Sequence, residues 1–153
     1  MVTAGVFAGE GKAATPATND ENWLATGDLG YLTSDGFLFV SGRKMDVIIS
    51  GGENVVAAEV EDALKSHPRI SDAAVIGTPD ARWGESVTAF IVPVSGETVA
   101  RDEVDKRCRA LLAGYKCPQR IEFVDSLPKT PIGKIAKALL RELATRSDTA
   151  TWR

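Results

Sequence analysis

The sequence has little cysteine, histidine and aromatic content. Its 153 residues include 2 cysteines and 1 histidine, and 7% of them are aromatic. Two cysteines are too few for a disulfide framework, and Cys108 and Cys117 lack the spacing of a metal site. These scarcities exclude a disulfide-rich secreted scaffold. We expect no metal site, and we expect a reducing intracellular compartment.

Long apolar runs and long basic runs are missing as well. No stretch approaches membrane-spanning length, and the first residues do not resemble a secretory signal. The net charge is −3, and no cluster of Lys and Arg forms a basic patch, so nucleic acid and anionic lipid are not expected partners. What is present, 44% hydrophobic and 25% charged residues, is the composition of an ordinary globular protein. We expect a cytoplasmic protein without a membrane span.

Two short apolar segments flank Ser34-Asp35-Gly36, and this pattern predicts a β-hairpin. The segments are residues 29–32 and 37–40, and Asp-Gly between such segments favours a tight turn. A hairpin brings its ends together, so we expect Asp28 and Arg43 at the same edge. An aspartate beside an arginine offers an acceptor and a donor to the hydroxyls of a polyol or a nucleotide ribose. The alternative is a surface salt bridge that closes the hairpin.

The apolar periodicity after the hairpin predicts a small α+β domain. Residues 47–49 form a predicted strand that ends at Gly51-Gly52, and Asn54 is the predicted cap of the next helix. On that helix Glu61 is placed on the polar face. The fold class is therefore α+β, an N-terminal β-hairpin segment followed by a roughly three-stranded sheet covered by three helices. The remaining predicted strands are 73–77, 87–94 and 121–124, and the other predicted helices are 101–113 and 134–145.

Lys134 is the second residue that suggests chemistry. It follows Gly133 in a segment with two prolines, at the predicted start of the last helix. A cation at a helix N-terminus opposes the macrodipole, by up to about 1 kcal/mol. The flanking prolines stiffen the segment that presents it, so one interpretation is a functional lysine. The alternative is an exposed lysine without a role.

Together these segments resemble the adenylate-forming, AMP-producing acyl-CoA synthetases, a superfamily that includes firefly luciferase and the adenylation domains of peptide synthetases. The resemblance extends from residue 23 to residue 142. The form Ser50-Gly51-Gly52-Glu53-Asn54 is nearer to fatty or aryl acyl-CoA ligases than to peptide-synthetase domains. The matching segments are 23–30, 35–44, 48–54, 59–61, 72–77, 83–85, 115–116 with Pro118, 128–130 and 133–135.

The resemblance implies roles at the nucleotide. Asp28 would hold the ribose hydroxyls of ATP and of the acyl-adenylate, with Arg43 assisting. Lys134 would reach the substrate carboxylate and the α-phosphate during adenylation. Met45, two residues after the arginine, would be the hinge. Relatives commonly have Asp or Lys at that position, but hinge motion needs backbone freedom more than charge.

The resemblance also implies a CoA site. Gly51 and Gly52 would line the channel for the pantetheine arm, where a side chain would obstruct the thiol. Tyr115 would stack on the adenine of CoA, and Trp83 would flank the same site. For both aromatic residues, packing in the core is the alternative.

Finally, the resemblance implies that a large part of the enzyme lies outside this sequence. Residues 1–44 would be the tail of a large N-terminal adenylation domain, and residues 45–153 would be the mobile C-terminal lid. The expected parent is a fatty or aryl acid–CoA ligase that uses ATP and CoA, and the chain alone would be inactive. Mg²⁺ is expected with ATP in the intact enzyme and not on this chain. The expected partners are the large domain, ATP or acyl-adenylate, and CoA. The alternatives are a fragment of an adenylation domain that loads a carrier protein, and a stand-alone binding module.

Overall fold

The computed structural model describes residues 26–147, which fall into two units. The first unit ends at Met45 and the second begins at Asp46. A short 3-10 turn, Lys44–Asp46, carries the chain from one to the other. Among the described residues, no helix is long and apolar enough to cross a membrane.

The first unit contains the predicted hairpin. Strand β1 (Asp28–Leu32) pairs antiparallel with β2 (Leu38–Arg43), with a bulge after Leu29. Gly36 adopts φ +83° in the turn, a conformation that glycine reaches without strain. A Cβ on Gly30 would lie 2.5 Å from the carbonyl oxygen of Phe39, so the bulge also requires glycine. The hairpin at the start of the described chain is therefore confirmed.

The second unit is built on a five-stranded sheet. Its strand order is β4-β3-β6-β5, and β7 pairs with β6. The β6–β7 pair is parallel, and every other pair is antiparallel. The middle of the central strand β6, residues 86–91, is buried, as expected for a strand with neighbours on both edges and helices on both faces. The strands are β3 (Val47–Ser50), β4 (Glu53–Val56), β5 (Ile70–Asp80), β6 (Gly84–Pro93) and β7 (Arg120–Phe123).

Three helices cover the two faces of this sheet. They are α1 (Ala57–Lys65), α2 (Arg101–Leu111) and α3 (Lys137–Ser147). Successive residues of β5 point to opposite faces, so Val75 joins the apolar cluster of α1 and α2 while Ile76 joins that of α3. The first cluster includes Val60, Leu64, Val104, Cys108, Val87, Ala89 and Ile91, and the second includes Leu140, Ala144, Phe90 and Leu127.

The predicted α+β class with three helices is confirmed, whereas the number of strands and the predicted cap of α1 differ. The sheet has five strands because residues 47–50 and 53–56 both join it. Asn54 does not cap a helix: it lies in β4 opposite Ile49, and the N-cap of α1 is Val56, which makes no side-chain capping bond. The tight turn at Gly51-Gly52 returns the chain as a hairpin, and this pairing takes precedence over the capping preference of asparagine.

Candidate functional site

Asp28 and Arg43 lie opposite each other at the open end of the first unit's hairpin. They are register partners, and Arg43 Nε lies 3.3 Å from Asp28 Oδ1. The backbone here is fixed, because Asp28 N–H donates to Thr26 Oγ1 and Lys44 N–H donates to the Gly27 carbonyl. The Arg43 side chain is 64% exposed and that of Asp28 38%. Such a pair contributes at most about 1 kcal/mol to stability. Its polar atoms can therefore also bind a ligand with little loss of folding stability.

Lys134 ends a tight turn that Thr130 closes. Thr130 N–H donates to the Lys134 carbonyl at 2.7 Å, and Lys134 N–H donates to Thr130 Oγ1 at 3.2 Å. Gly133 has φ +81°, and its N–H donates to the Thr130 carbonyl at 2.8 Å. Both backbone groups of Lys134 are thus held, while Lys134 itself is exposed beside Ile132 at the tip. The turn presents an ammonium group from a fixed backbone.

The prediction that Lys134 begins the last helix is wrong. Helix α3 begins at Lys137, three residues later. Before it, Lys129 and Ile135 form an isolated antiparallel bridge, and Ala136 N–H donates to the Pro128 carbonyl. Lys134 therefore does not sit on the helix dipole. Thr130 was not singled out from the sequence, although threonine hydroxyls often accept bonds from nearby backbone amides.

Gly51 and Trp83 are in contact, whereas Gly52 faces open space. Gly51 N–H donates to the Trp83 carbonyl at 2.8 Å, and a Cβ on Gly51 would lie 2.8 Å from a ring carbon of Trp83. Both glycines have positive φ, +60° and +85°, but nothing lies within 4 Å of the position of a Cβ on Gly52. The guanidinium of Arg82 lies 4.6 Å from the centroid of the Trp83 ring. Gly51 is thus required for packing, and Gly52 leaves the surface of the turn uncovered.

Tyr115 lies on a separate element, the 3-10 turn Gly114–Lys116. Like Trp83 it is 43% exposed, so burial in the core does not account for either side chain. The neighbouring Lys116 places Nζ 2.7 Å from both carboxylate oxygens of Glu59 on α1. That hydrogen-bonded carboxylate raises the pKa of Lys116. The ion pair fixes the turn that displays Tyr115.

Met45 is the last residue of the first unit, and its side chain is 82% exposed. Asp46, next to it, opens the second unit. A side chain so exposed places few packing constraints on the residue, which suits a position where the backbone has to rotate.

Four charged residues form a group that the sequence analysis did not identify. This charge cluster consists of Asp46, Glu61, Lys137 and Arg141. Glu61, which the sequence places on the polar face of α1, is buried, with only 9% of the residue exposed. Its Oε1 accepts from Val75 N–H and lies near Lys137 Nζ, both at 2.8 Å. Helical periodicity could not reveal these partners, because they come from elements distant in sequence.

The two cysteines are not reactive thiolates. Burial raises the pKa of the Cys108 thiol to about 11, and burial also raises the pKa of Cys117. Both therefore stay protonated near neutral pH. Between residues 26 and 147, no group of three or more acidic, histidine or cysteine side chains could hold a metal ion.

Residues 59–134 match the AMP-binding enzyme C-terminal domain. The chain is 42% identical over 133 residues to indoleacetate–CoA ligase of Aromatoleum aromaticum, covering 87% of this chain and 26% of that protein. It is 42% identical over 128 residues to the fatty acid–[acyl-carrier-protein] ligase ScoC of Streptomyces coeruleorubidus, and the match covers 84% of this chain and 25% of that protein.

Among solved structures, o-succinylbenzoate CoA synthetase of Bacillus subtilis, in complex with its acyl-adenylate intermediate, superposes with a TM-score of 0.78. The two are 40% identical, and the match covers 86% of this chain and 27% of that one. The chain thus spans about a quarter of the length of the proteins that it matches.

Proposed function

The chain belongs to the adenylate-forming enzymes that carry an AMP-binding C-terminal domain, and on this premise we propose that it serves as the C-terminal part of an acid–CoA ligase. The parent enzyme, meaning the protein in which this chain continues a large N-terminal domain, would act on a fatty or aryl acid. The names of the relatives, which include ligases for indoleacetate and for fatty acid, support this substrate class. We propose that it acts in the cytoplasm, because the scarcity of cysteine suits a reducing compartment.

The proposed reaction has two steps. In the first, a carboxylate oxygen attacks the α-phosphorus of ATP, the bond to the β-phosphate oxygen breaks, and acyl-AMP and pyrophosphate form. In the second, the CoA thiol releases its proton to solvent and its sulfur attacks the acyl carbon. AMP then leaves with the electron pair of the broken C–O bond. Both steps need fixed groups where charge develops.

The observation that carries the proposal is the Lys134 turn. Negative charge grows on the phosphoryl oxygens and on the departing pyrophosphate in the first step. An ammonium on a fixed backbone stabilises that charge without having to reorganise. The two hydrogen bonds between Thr130 and Lys134 supply the fixed backbone. Lys134 is therefore the proposed catalytic residue of adenylation.

The hairpin pair is proposed to bind the ribose. The Asp28 carboxylate accepts hydrogen bonds from the ribose hydroxyls, and Arg43 donates to the same sugar. Their exposure and their 3.3 Å separation support this role, because the two groups already face one another. The ribose belongs to ATP, acyl-AMP and AMP alike, so this pair is proposed to act in both steps.

The Gly51-Gly52 turn is proposed to line the path of the CoA thiol. Gly52 is the residue with space around it, and Trp83 supports the turn from the side of Gly51. Tyr115 is proposed to stack on the adenine of CoA, since nearly half of its surface is exposed. Between the two steps, rotation of the second unit about Met45 would move the Lys134 turn away from the reacting groups and bring the Gly51-Gly52 turn to them.

Mg²⁺ is proposed to enter with ATP, bound to its phosphates. Among residues 26–147, no group of three or more metal-ligating side chains is present to hold it independently. In this proposal the chain contributes Lys134 to the phosphoryl oxygens and leaves coordination of the ion to ATP and to the large domain.

ATP–pyrophosphate exchange tests the proposal. The parent enzyme should catalyse exchange with an aryl or fatty acid, and the purified 153-residue protein should catalyse none and bind nucleotide only weakly. The large domain expressed without residues 46–153 is the matched control, and it should lose most of the exchange. Saturable exchange by the 153-residue protein, or full exchange by the large domain alone, would overturn the proposal.

A carrier protein is the second candidate acceptor. The relative named as a fatty acid–[acyl-carrier-protein] ligase, 42% identical to this chain, favours it. The two acceptors differ in what surrounds the thiol, since a carrier protein brings a protein surface in place of the adenine nucleotide. Supplying purified acyl-adenylate with either CoA or a pantetheinylated carrier protein distinguishes them. We expect transfer to CoA, and a Tyr115→Ala substitution should slow it while leaving transfer to a carrier protein unchanged.

A further inference from the structure

The charge cluster lies wholly within the second unit, and it joins Asp46 to the helix that follows the Lys134 turn. We propose that this cluster is a positioning device. It holds the start of α3, and through α3 the Lys134 turn, to Asp46, the residue immediately after Met45. Lys134 would then keep its orientation as the unit rotates. The inference rests on the proposed function, because it gives the cluster a task in adenylation.

The contacts form a chain of alternating charge. Glu61 Oε1 lies 2.8 Å from Lys137 Nζ, and Lys137 Nζ lies 3.9 Å from Asp46 Oδ2. The other oxygen of Asp46 accepts from Arg141 Nη2 at 3.1 Å. Lys137 and Arg141 are one helical turn apart, so they present two cations on one side of α3. Asp46 is therefore held by α3 at two points.

Glu61 links this chain of charges to the sheet. Its Oε1 accepts from Val75 N–H at 2.8 Å, and Val75 lies on β5, which ends the strand order of the sheet. Its side chain is 12% exposed and that of Lys137 17%, so both charges are largely withdrawn from water. Removing one partner from such a pair is far more disruptive than losing a surface salt bridge. The cluster thus has a rigid end at the sheet and a second end at Asp46.

Lys137 is placed to control the catalytic turn. Only Ile135 and Ala136 separate it from Lys134, and Ala136 N–H donates to the Pro128 carbonyl across the base of the turn. Lys137 is also the first residue of α3, where a cation opposes the helix dipole. The carboxylates of Asp46 and Glu61 offset this unfavourable interaction. Lys137 is accordingly a positioning residue that acts through the backbone of the turn.

The test compares Lys137→Met with Lys65→Met. Methionine is one atom shorter than lysine, keeps an unbranched side chain and removes the charge. Lys65 is an exposed lysine whose Nζ lies 3.5 Å from Asp62 Oδ1 on α1. In the 153-residue protein, hydrogen exchange at the amides of Lys134 and Ala136 should become at least tenfold faster in Lys137→Met and should not change in Lys65→Met. Lys137→Arg should restore the slow exchange.

Kinetics of the parent enzyme give the second readout. In Lys137→Met, kcat for ATP–pyrophosphate exchange should fall at least tenfold, while KM for ATP and the rate of thioester formation from supplied acyl-adenylate stay within twofold. Lys137→Arg should recover most of kcat. A role only in stability would lower both steps together in proportion to the folded fraction, and that result would overturn the inference.

The result of Lys134→Ala separates this inference from the proposed function. If Lys134→Ala leaves exchange unchanged, the proposed function fails, and the hydrogen-exchange comparison still decides whether the cluster holds the turn. If Lys134→Ala abolishes exchange but Lys137→Met changes neither readout, the positioning role alone is wrong. Should Lys137→Met not fold, Asp46→Asn offers a milder change at a more exposed residue. It should accelerate the same two amides several-fold, and no acceleration would overturn the inference.

Discussion

The hairpin and the α+β unit differ in where their apolar side chains lie. Both strands of the hairpin contain aromatic and aliphatic residues, yet no residue from 26 to 45 is buried. The α+β unit instead buries apolar side chains on both faces of its sheet. The exposed large apolar residues of the hairpin are Tyr31, Leu32, Phe37, Leu38, Phe39 and Val40.

This difference shows which region can supply its own stability. An isolated two-stranded hairpin is marginal in water, whereas a sheet with helices on both faces has a core. Under the proposed function, the apolar surface of the hairpin would pack on the large domain of the parent enzyme. The proposed ribose-binding pair would then depend on that domain, while the Lys134 turn depends on the α+β unit.

The largest expected effect comes from truncating the core. Leu64 on α1 is fully buried, so Leu64→Ala should lower the free energy of unfolding of the 153-residue protein by about 2–5 kcal/mol. Leu38→Ala makes the same chemical change in the hairpin, where the side chain is 46% exposed, and should change it by under about 0.5 kcal/mol. Urea denaturation measures both. Equal losses would mean that the two regions share one core.

Glycine-to-alanine substitutions compare the turns of the α+β unit with the turn of the hairpin. Gly51→Ala would put a Cβ 2.8 Å from the Trp83 ring at a residue with positive φ. We expect it to lower the free energy of unfolding by roughly 2–3 kcal/mol. Gly52→Ala would introduce backbone strain without a steric clash and should lower the free energy of unfolding by about 1 kcal/mol. Gly36→Ala in the hairpin turn should leave the unfolding of the α+β unit unchanged. In the double variant, Trp83→Ala should remove part of the destabilisation caused by Gly51→Ala. If the two single changes in the free energy of unfolding simply add, the proposed contact is contradicted.

Met45→Pro tests the junction between the two regions. Proline fixes φ at about −65° and also restrains the preceding residue, Lys44, so one of the two catalytic states should become hard to reach. We expect the adenylating state to be retained, because adenylation is the first step. The parent enzyme should keep pyrophosphate exchange, and its rate of acyl-CoA formation should fall at least about tenfold, or 1.4 kcal/mol in the barrier. Met45→Ala should change neither rate much. Normal rates of both steps in Met45→Pro would rule out Met45 as the hinge and make Asp46 and Ser50 the next candidates.

The smallest expected effect is electrostatic and depends on pH. Lys116 has a raised pKa because it is hydrogen-bonded to Glu59, so this pair stabilises the folded state below the pKa of the unfolded lysine, about 10.5. That stabilisation is lost as the pH rises through the higher pKa of the folded state. Glu59→Gln should therefore lower stability by under about 1 kcal/mol at pH 7, and its difference from wild type should shrink at high pH. A difference that grows with pH would contradict the assignment.

Local signals were enough to predict the hairpin and its ion pair. Asp35-Gly36 between two apolar segments specifies a turn, and the turn sets the register that places Asp28 opposite Arg43. The three helices followed from their apolar periodicity for the same reason. In each case the residues that decide the structure are close together in the chain.

Tertiary contacts account for the predictions that were wrong. Glu61 is separated by 14 residues from Val75 and lies still farther along the chain from Lys137, so no local pattern reveals its burial. The start of α3 was placed too early because Thr130 closes a turn over Lys134, and this turn takes precedence over the helical pattern. Residues 53–56 form a strand because a partner, β3, is available after a two-residue turn.

We propose that the Lys134 turn acts in adenylation alone, whereas the Asp28–Arg43 pair of the hairpin acts in both steps, and a comparison of the two half-reactions tests this most directly. In the parent enzyme, Lys134→Ala should slow adenylation at least about 10²-fold, the scale for one preorganised charge-stabilising group. The same variant should form thioester from supplied acyl-adenylate at nearly the wild-type rate. Asp28→Ala should weaken both half-reactions, because the ribose stays bound throughout. Equal losses of both half-reactions in Lys134→Ala would contradict the account and make Lys134 a structural residue.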